Sequence, residues 1–275
     1  MTESHISPSL RILRSRLFEM NSGAFVCDDD AYLVDPGIFP DEIDTLLTAI
    51  GRPSAIKGIV ITHSHWDHIL GPERLPGVPV IAHPSAAAAL SSDPAAIART
   101  VHERLATEGY PRQTPFSVPA VDIVASDRLT LSYGDRALQL LHAPGHCPDQ
   151  LVIYDPVARI LWAADTLSDI EIPSVDDVRA YRRTIERLRT LEVVALVPGH
   201  GNPTSDASEI KERLAWDYGY LVRLEQEVTS AVRARRTLPR TQRALADWSL
   251  RRPDINAPEH LRNIETVYRA LSQTS

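Results

Sequence analysis

The sequence predicts an α/β protein in which several short, buried strands end at one edge of a sheet and helices lie between and after them. Three apolar runs carry this expectation. Leu138-Gln139-Leu140-Leu141 leads into His142-Ala143-Pro144-Gly145-His146, Ile160-Leu161-Trp162-Ala163-Ala164 into Asp165, and Val193-Val194-Ala195-Leu196-Val197 into Pro198-Gly199-His200. Each reads as a buried strand that stops at a turn carrying a ligand-type side chain. A fourth run, Ile56-Lys57-Gly58-Ile59-Val60-Ile61, opens directly onto Thr62-His63-Ser64-His65-Trp66-Asp67-His68. Side chains at the ends of neighbouring strands converge, so the four segments are expected to meet.

The remaining elements follow in order. Arg11 to Phe18, Ala24 to Cys27 and Tyr32 to Val34 read as opening strands, followed by the turn Asp35-Pro36-Gly37 and a helix from about Asp41 to Ile50. Val78 to Ala82 is a strand set off by the Pro76-Gly77 turn. Residues 84–120, with Ala86-Ala87-Ala88-Ala89 and then Pro94 to Gly109, read as helices ending in the loop Tyr110 to Phe116. That insertion is either a cover over the site or a surface helical pair. From Ser205 the chain is helical by its Leu, Ala, Glu and Arg content, with Leu214, Leu221 and Leu224 at helical spacing as a core-facing stripe. Pro239 and Pro253 divide this tail into separate helices.

Three imidazoles and a carboxylate within six residues are hard to account for as packing. His63 and His65 are two apart and point to the same side of an extended chain. If Trp66 to Leu70 opens a helix, Asp67 and His68 turn toward a different point. One ion cannot easily take all four from so short a peptide, so the spacing suggests two adjacent metals. Asp35 has two readings: a turn aspartate before Pro-Gly, which is favoured, and a group that orients a ligand histidine.

His63-x-His65-x-Asp67-His68, then His146, Asp165 and His200 in this order resemble the metallo-β-lactamase superfamily, specifically its dinuclear hydrolases, over about residues 10 to 204. The resemblance implies an αββα sandwich of two mixed β-sheets with outer helices, here followed by a C-terminal helical extension. It divides the chain into a hydrolase domain, 1–204, with 84–120 as a helical insertion, and the extension, 205–275. It assigns His63, His65 and His146 to one metal, Asp67, His68 and His200 to a second, and Asp165 as the bridge. Asp67 and Asp165 become the catalytic carboxylates. Zinc is the expected ion, and the same ligands accept iron or manganese. The implied reaction is attack by a metal-bridging hydroxide on a small ester, lactone or thioester. A phosphodiesterase or nuclease of the same superfamily is the alternative.

Further family comparisons narrow the substrate. Secreted zinc β-lactamases usually carry a signal peptide and a Cys where Asp165 stands. The basic glutathione-binding pattern of glyoxalase II-like thioesterases is not evident near the C-terminus. Lactonases of acyl-homoserine lactones typically have a Tyr shortly after the bridging Asp, where this chain reads Asp165-Thr166-Leu167-Ser168.

Composition agrees with an enzyme acting on a small molecule. A chain of 275 residues can bury a large core, and a net charge of −7 with a pI near 5.8 argues against general nucleic-acid binding. Eight Arg against three Asp or Glu between Arg223 and Arg252 give a local +5, leaving −12 elsewhere. This reads as a solvated face whose Arg stems cover apolar surface. Met1-Thr2-Glu3-Ser4-His5 has no apolar leader and no run approaches membrane-spanning length, so the expectation is a cytoplasmic protein with no membrane partner. Homo-oligomerisation stays open. Two cysteines, Cys27 and Cys147, imply no disulfide framework. Cys147 has two readings: a small residue in a tight turn, which is favoured, and a thiolate ligand or redox switch. His142 is expected to donate a supporting hydrogen bond near the site and His83 to be structural, while His5, His102 and His260 have no ligand context.

Overall fold

The computed structural model describes residues 6–51 and 55–273; the expectations placed on the first five residues, His5 among them, lie outside it. Six strands form the first sheet in chain order: β1 (Leu10–Arg14), β2 (Asn21–Cys27), β3 (Asp30–Val34), β4 (Ala55–Val60), β5 (Val80–Ala82) and β6 (Ile123–Val124). The first three pair antiparallel as hairpins, and β3 to β6 pair parallel. The second sheet joins β7 (Arg128–Tyr133), β8 (Arg136–His142), β9 (Leu151–Asp155), β10 (Ile160–Trp162) and β11 (Ala195–Val197) in the order 11-10-9-8-7. Here only β10 and β11 are parallel.

The sheets pack face to face because each strand alternates its apolar side chains toward the other sheet. Leu10, Ile12, Phe25, Val34 and Val60 from the first share one apolar cluster with Leu138, Leu140, Ile153, Trp162 and Val197 from the second. Trp162 is fully buried there. It lies across β2 at Gly23, where a Cβ would stand 2.5 Å from the indole ring. Each such buried side chain contributes about 1.5–3 kcal/mol.

Helices cover both outer faces. Helix α1 (Pro40–Ala49) sets Leu46 against Leu13, Ala24, Leu33 and Ile59. The insertion supplies α2 (Pro84–Ser92) and α3 (Pro94–Thr107). Over the second sheet lie α4 (Val178–Leu188) and the tail helices α5 (Ala207–Arg233), α6 (Leu238–Leu245) and α7 (Pro253–Ser272). Tyr181, Ile185, Leu221, Leu224, Ile264 and Val267 pack there on Leu141, Val152, Leu161 and Leu196. The expected αββα sandwich of two mixed sheets is the observed fold. Pro239 sits in the first turn of α6 and Pro253 opens α7, as the sequence implied.

Two local expectations are corrected. The opening strand stops at Arg14 instead of running to Phe18. Buried Glu42 draws in Ser15 Oγ and the Arg16 amide, each at 3.1 Å, and Phe18 and Glu19 then take positive φ of 55° and 51°. No helix forms over Trp66 to Leu70; His68 N bonds back to His65 O in a turn, and a single 3-10 turn follows at Gly71–Arg74. Pro72, in the first turn of that 3-10 piece, has no amide proton to carry a helical ladder back to His68.

Candidate metal centre

Strand β8 is antiparallel to β9, and β9 to β10, so β8, β10 and β11 run the same way and their C-terminal ends share one edge. The turns beyond those ends carry His146, Asp165 and His200. The segment after β4 arrives from the other sheet and is tied in by the Leu151 amide, which donates to the Thr62 carbonyl at 2.7 Å. The seven residues His63, His65, Asp67, His68, His146, Asp165 and His200 thus meet at one end of the sandwich.

They meet as two clusters with Asp165 between them. Asp165 Oδ2 lies 3.5 Å from His63 Nε2 and 3.5 Å from His146 Nε2, and His146 Nε2 is 3.0 Å from His65 Nδ1. Asp165 Oδ1 lies 3.3 Å from His68 Nε2 and 3.6 Å from His200 Nε2. Asp67 Oδ2 closes the second cluster, 3.4 Å from His200 Nε2 and 3.7 Å from His68 Nε2. One carboxylate oxygen faces each cluster. His63 and His68 are fully enclosed, whereas His65 is exposed and marks the open side.

The backbone around these groups fixes their tautomers. Asp35, itself 1% exposed, accepts from Thr62 N at 2.9 Å, Thr62 Oγ1 at 2.7 Å and His68 Nδ1 at 2.9 Å. With its hydroxyl hydrogen committed to Asp35, Thr62 Oγ1 accepts from His63 Nδ1 at 3.0 Å. His200 Nδ1 donates to the Phe18 carbonyl at 3.0 Å. In all three rings Nδ1 is the outward donor, which leaves Nε2 aimed at the centre. Asp35 therefore does what the less favoured reading proposed: it orients a site histidine while also sitting in its turn, at φ 41°.

The residues present fit divalent cations. His63 Nε2, His68 Nε2 and Asp165 Oδ1 are buried and make no hydrogen bond among the described residues, an arrangement that is costly unless something else satisfies them. Ligand atoms of His63, His65 and His146 lie within 4.8 Å of one another, as do those of Asp67, His68 and His200. Electrostatics mark the same demand for positive charge. Burial pushes the Asp165 carboxyl up, but His68, His200 and His63 together outweigh it and hold it well below the usual carboxylate range. Burial likewise lowers His68, yet Asp165, Asp67 and Asp35 carry it well above an ordinary imidazole. His146 goes the other way, burial holding it well below the ordinary value and so neutral.

Several neighbours have no signal in the local sequence. Asp149 Oδ2 accepts from Ser64 N at 3.0 Å and pins the His63–His65 segment. Gln150 Oε1 accepts from the Asp165 amide at 3.2 Å, and Tyr181 Oη donates to the Asp165 carbonyl at 2.9 Å. Glu171 is pushed up to about 7 by burial, with His200 opposing and Asp165 and Asp67 reinforcing the shift. Cys147 is buried, with its Sγ within 4.8 Å of ligand atoms of His63, His65 and His146. His142 Nε2 donates to the Pro148 carbonyl at 2.8 Å and its ring stacks on His83 at 4.0 Å, so it closes its own turn instead of supporting a site residue. His83 caps α2, accepting from Ser85 N.

Comparison with known proteins agrees with the fold. The Metallo-beta-lactamase superfamily profile matches residues 20–200, and the chain belongs to that superfamily. A linear primary-alkylsulfatase from Pseudomonas sp. is 28% identical over 96 residues, 32% of this chain and 18% of its own length. Human acyl-coenzyme A thioesterase MBLAC2 is 29% identical over 200 residues, covering 68% of this chain and 69% of the relative. Among solved structures, the sec-alkylsulfatase Pisa1 from Pseudomonas sp. superposes with a TM-score of 0.77 over 98% of this chain and 50% of its own, at 17% identity. The chain thus spans a fraction of the alkylsulfatases it matches and about two thirds of the thioesterase.

Proposed function

We propose that this superfamily member is a dinuclear metal-dependent hydrolase acting on a small carbonyl ester, with thioesters foremost. The observation that carries the reading is the division of Asp165: one carboxylate oxygen is directed at His63 and His146, the other at His68 and His200. His63, His65 and His146 would hold one cation, Asp67, His68 and His200 the other, with Asp165 shared. Zinc is the expected ion for mixed N/O ligands, with iron or manganese as alternatives. Cations held there supply Lewis acidity and make water acidic enough to act as a nucleophile near neutral pH.

The protein's own part is orientation and proton placement. Asp35, Thr62 and the Phe18 carbonyl keep three imidazoles with Nε2 inward. Asp67, with a carboxylate oxygen 3.4 Å from His200 Nε2, would hold the second cation and orient the attacking water. The open side at His65 is where a substrate carbonyl would enter. The division into a hydrolase domain over 1–204 and a helical extension over 205–275 belongs to the same proposal. Thioesters rank first because the thioesterase relative aligns over two thirds of this chain.

A second reading is sulfate-ester hydrolysis, favoured by the likeness to alkylsulfatases in both sequence and fold. Elemental analysis of the purified chain, run beside turnover of an acyl-coenzyme A, a lactone, an alkyl sulfate and a phosphodiester, separates these readings. Two metals per chain with carbonyl-ester turnover is the expected result. Turnover of the alkyl sulfate alone moves the assignment to the second reading, and turnover of the phosphodiester alone refutes both.

A further inference from the structure

The loop that follows Asp165 is held by side chains that arrive from the C-terminal helices and from the segment between α6 and α7. Asp217 of α5 accepts from the Leu167 amide at 3.0 Å through Oδ2, and from Arg251 Nη1 at 2.7 Å through Oδ1. The same Arg251 nitrogen donates to the Ser168 carbonyl at 2.6 Å. Arg213 Nη1 donates to the Leu167 carbonyl at 3.3 Å and the Asn202 carbonyl at 2.8 Å. Further along, Asn256 brackets the loop through Ile172 N and the Ile170 carbonyl, and Asn263 through Val175 N and the Pro173 carbonyl. Asp217, Arg213, Asn256 and Asn263 are all buried.

So many long-range polar contacts on one loop answer a backbone problem. Ala164 and Leu167 flank Asp165 and Thr166 with φ of 50° and 62°. The left-handed region costs a residue with a side chain on the order of 1–2 kcal/mol, and such backbone persists only where its surroundings over-determine it. The tight corner is what turns Asp165 so that its two oxygens face different clusters. Gln150 and Tyr181 fix the Asp165 amide and carbonyl from one side. On the other side the Leu167 corner rests on Asp217, whose buried charge is balanced by Arg251.

We propose that the Asp217–Arg251 pair is a positioning device for Asp165, locking the Leu167 corner so that the carboxylate can serve both clusters at once. Neither residue touches the centre; both act through the loop. The proposal rests on the dinuclear reading above, and it makes the tail a working part of the metal centre.

The test is chelator challenge of the Co(II)-loaded full chain, for the wild type, Asp217→Asn and Arg251→Met, read by metal retained and by the spin coupling of the Co(II) pair. Circular dichroism and thermal unfolding run alongside. In both variants at least one cation of the pair should be lost at about 10–100-fold lower chelator strength than in the wild type, the scale on which groups behind metal ligands act. An uncoupled Co(II) signal should accompany that loss. Arg251→Met keeps the question open to refutation if Asp217→Asn fails to fold. Folded variants that lose only thermal stability, while retaining both cations and native coupling, overturn the positioning role. A wild-type chain that holds a single cation overturns the dinuclear reading and this proposal with it.

Discussion

Asp165 and Asp35 divide the labour of the centre between a group that faces both clusters and one that faces away. Asp165 sets its oxygens 3.5 Å from His63 Nε2 and 3.3 Å from His68 Nε2. Asp35, 33 residues before His68 in the chain, accepts that ring's outward proton and, through Thr62, fixes His63 as well. Removing it frees one imidazole to rotate and leaves a second without its tautomer lock. Asp35→Ala should therefore weaken the cation at Asp67, His68 and His200 by about 10–100-fold while the chain stays folded. Metal retained after graded chelator treatment measures this, and unchanged retention would show that Asp35 serves only its turn.

At the level of elements, the centre depends on how closely strand-end turns approach one another. At Gly199, which ends the Pro198-Gly199 turn before His200, a Cβ would stand 2.1 Å from Asp165 Oδ1 and 2.9 Å from the Ala164 backbone. Gly199→Ala must push the carboxylate aside, so activity should fall more than tenfold, at an overpacking cost of about 1–3 kcal/mol. A variant with native turnover would mean that the Asp165 turn yields easily.

The tail helices carry their own polar junction. Asn263 Nδ2 donates to Tyr220 Oη, Tyr220 in turn donates to His260 Nδ1, and His260 Nε2 donates to the Leu245 carbonyl. Burial lowers the His260 pKa and the nearby Arg223 lowers it further, while the bond to Leu245 opposes both. A folded-state value below the unfolded one, about 6.5, means the unfolded chain binds more protons in between. The stability tied to neutral His260 is thus present above about pH 6.5 and lost as pH falls through the folded value. An NMR titration of His260 should place its midpoint below the ordinary imidazole value; an ordinary or raised midpoint would contradict the buried neutral ring.

For the molecule as a whole, α4 alone would cover the outer face of the second sheet without the tail. Leu221, Leu224, Val228, Ile264 and Val267 share one buried cluster with Tyr181, Leu161 and Leu196. Truncation after Thr204 would strip these partners from α4 and the sheet, at about 1.5–3 kcal/mol for each large apolar side chain uncovered, against total stabilities of order 5–15 kcal/mol. The fragment 1–204 should be insoluble or bind hydrophobic dye, and the full chain should unfold in one transition. A soluble fragment with a native-like circular dichroism spectrum would refute the shared core. Among the described residues no helix is long and apolar enough to cross a membrane.

The sequence by itself determined what is encoded over short spans. His63-x-His65-x-Asp67-His68 announces a cluster because ligand-type residues crowd one strand end, and the turns at His146, Asp165 and His200 repeat the pattern. Apolar runs located the central strands, and prolines located the breaks among the tail helices. Tertiary structure alone decided which atoms face each other: the split of the Asp165 oxygens, the reach of Asp35 to His68, and the hold of Asp217 and Arg251 on the Leu167 corner. Those partners lie 33, 50 and 83 residues apart, and no local spacing constrains a pair so distant. The early end of β1 has the same origin: the Glu42 carboxylate, from α1, satisfies Ser15 and the Arg16 amide, polar groups that local propensity would have left to a longer strand.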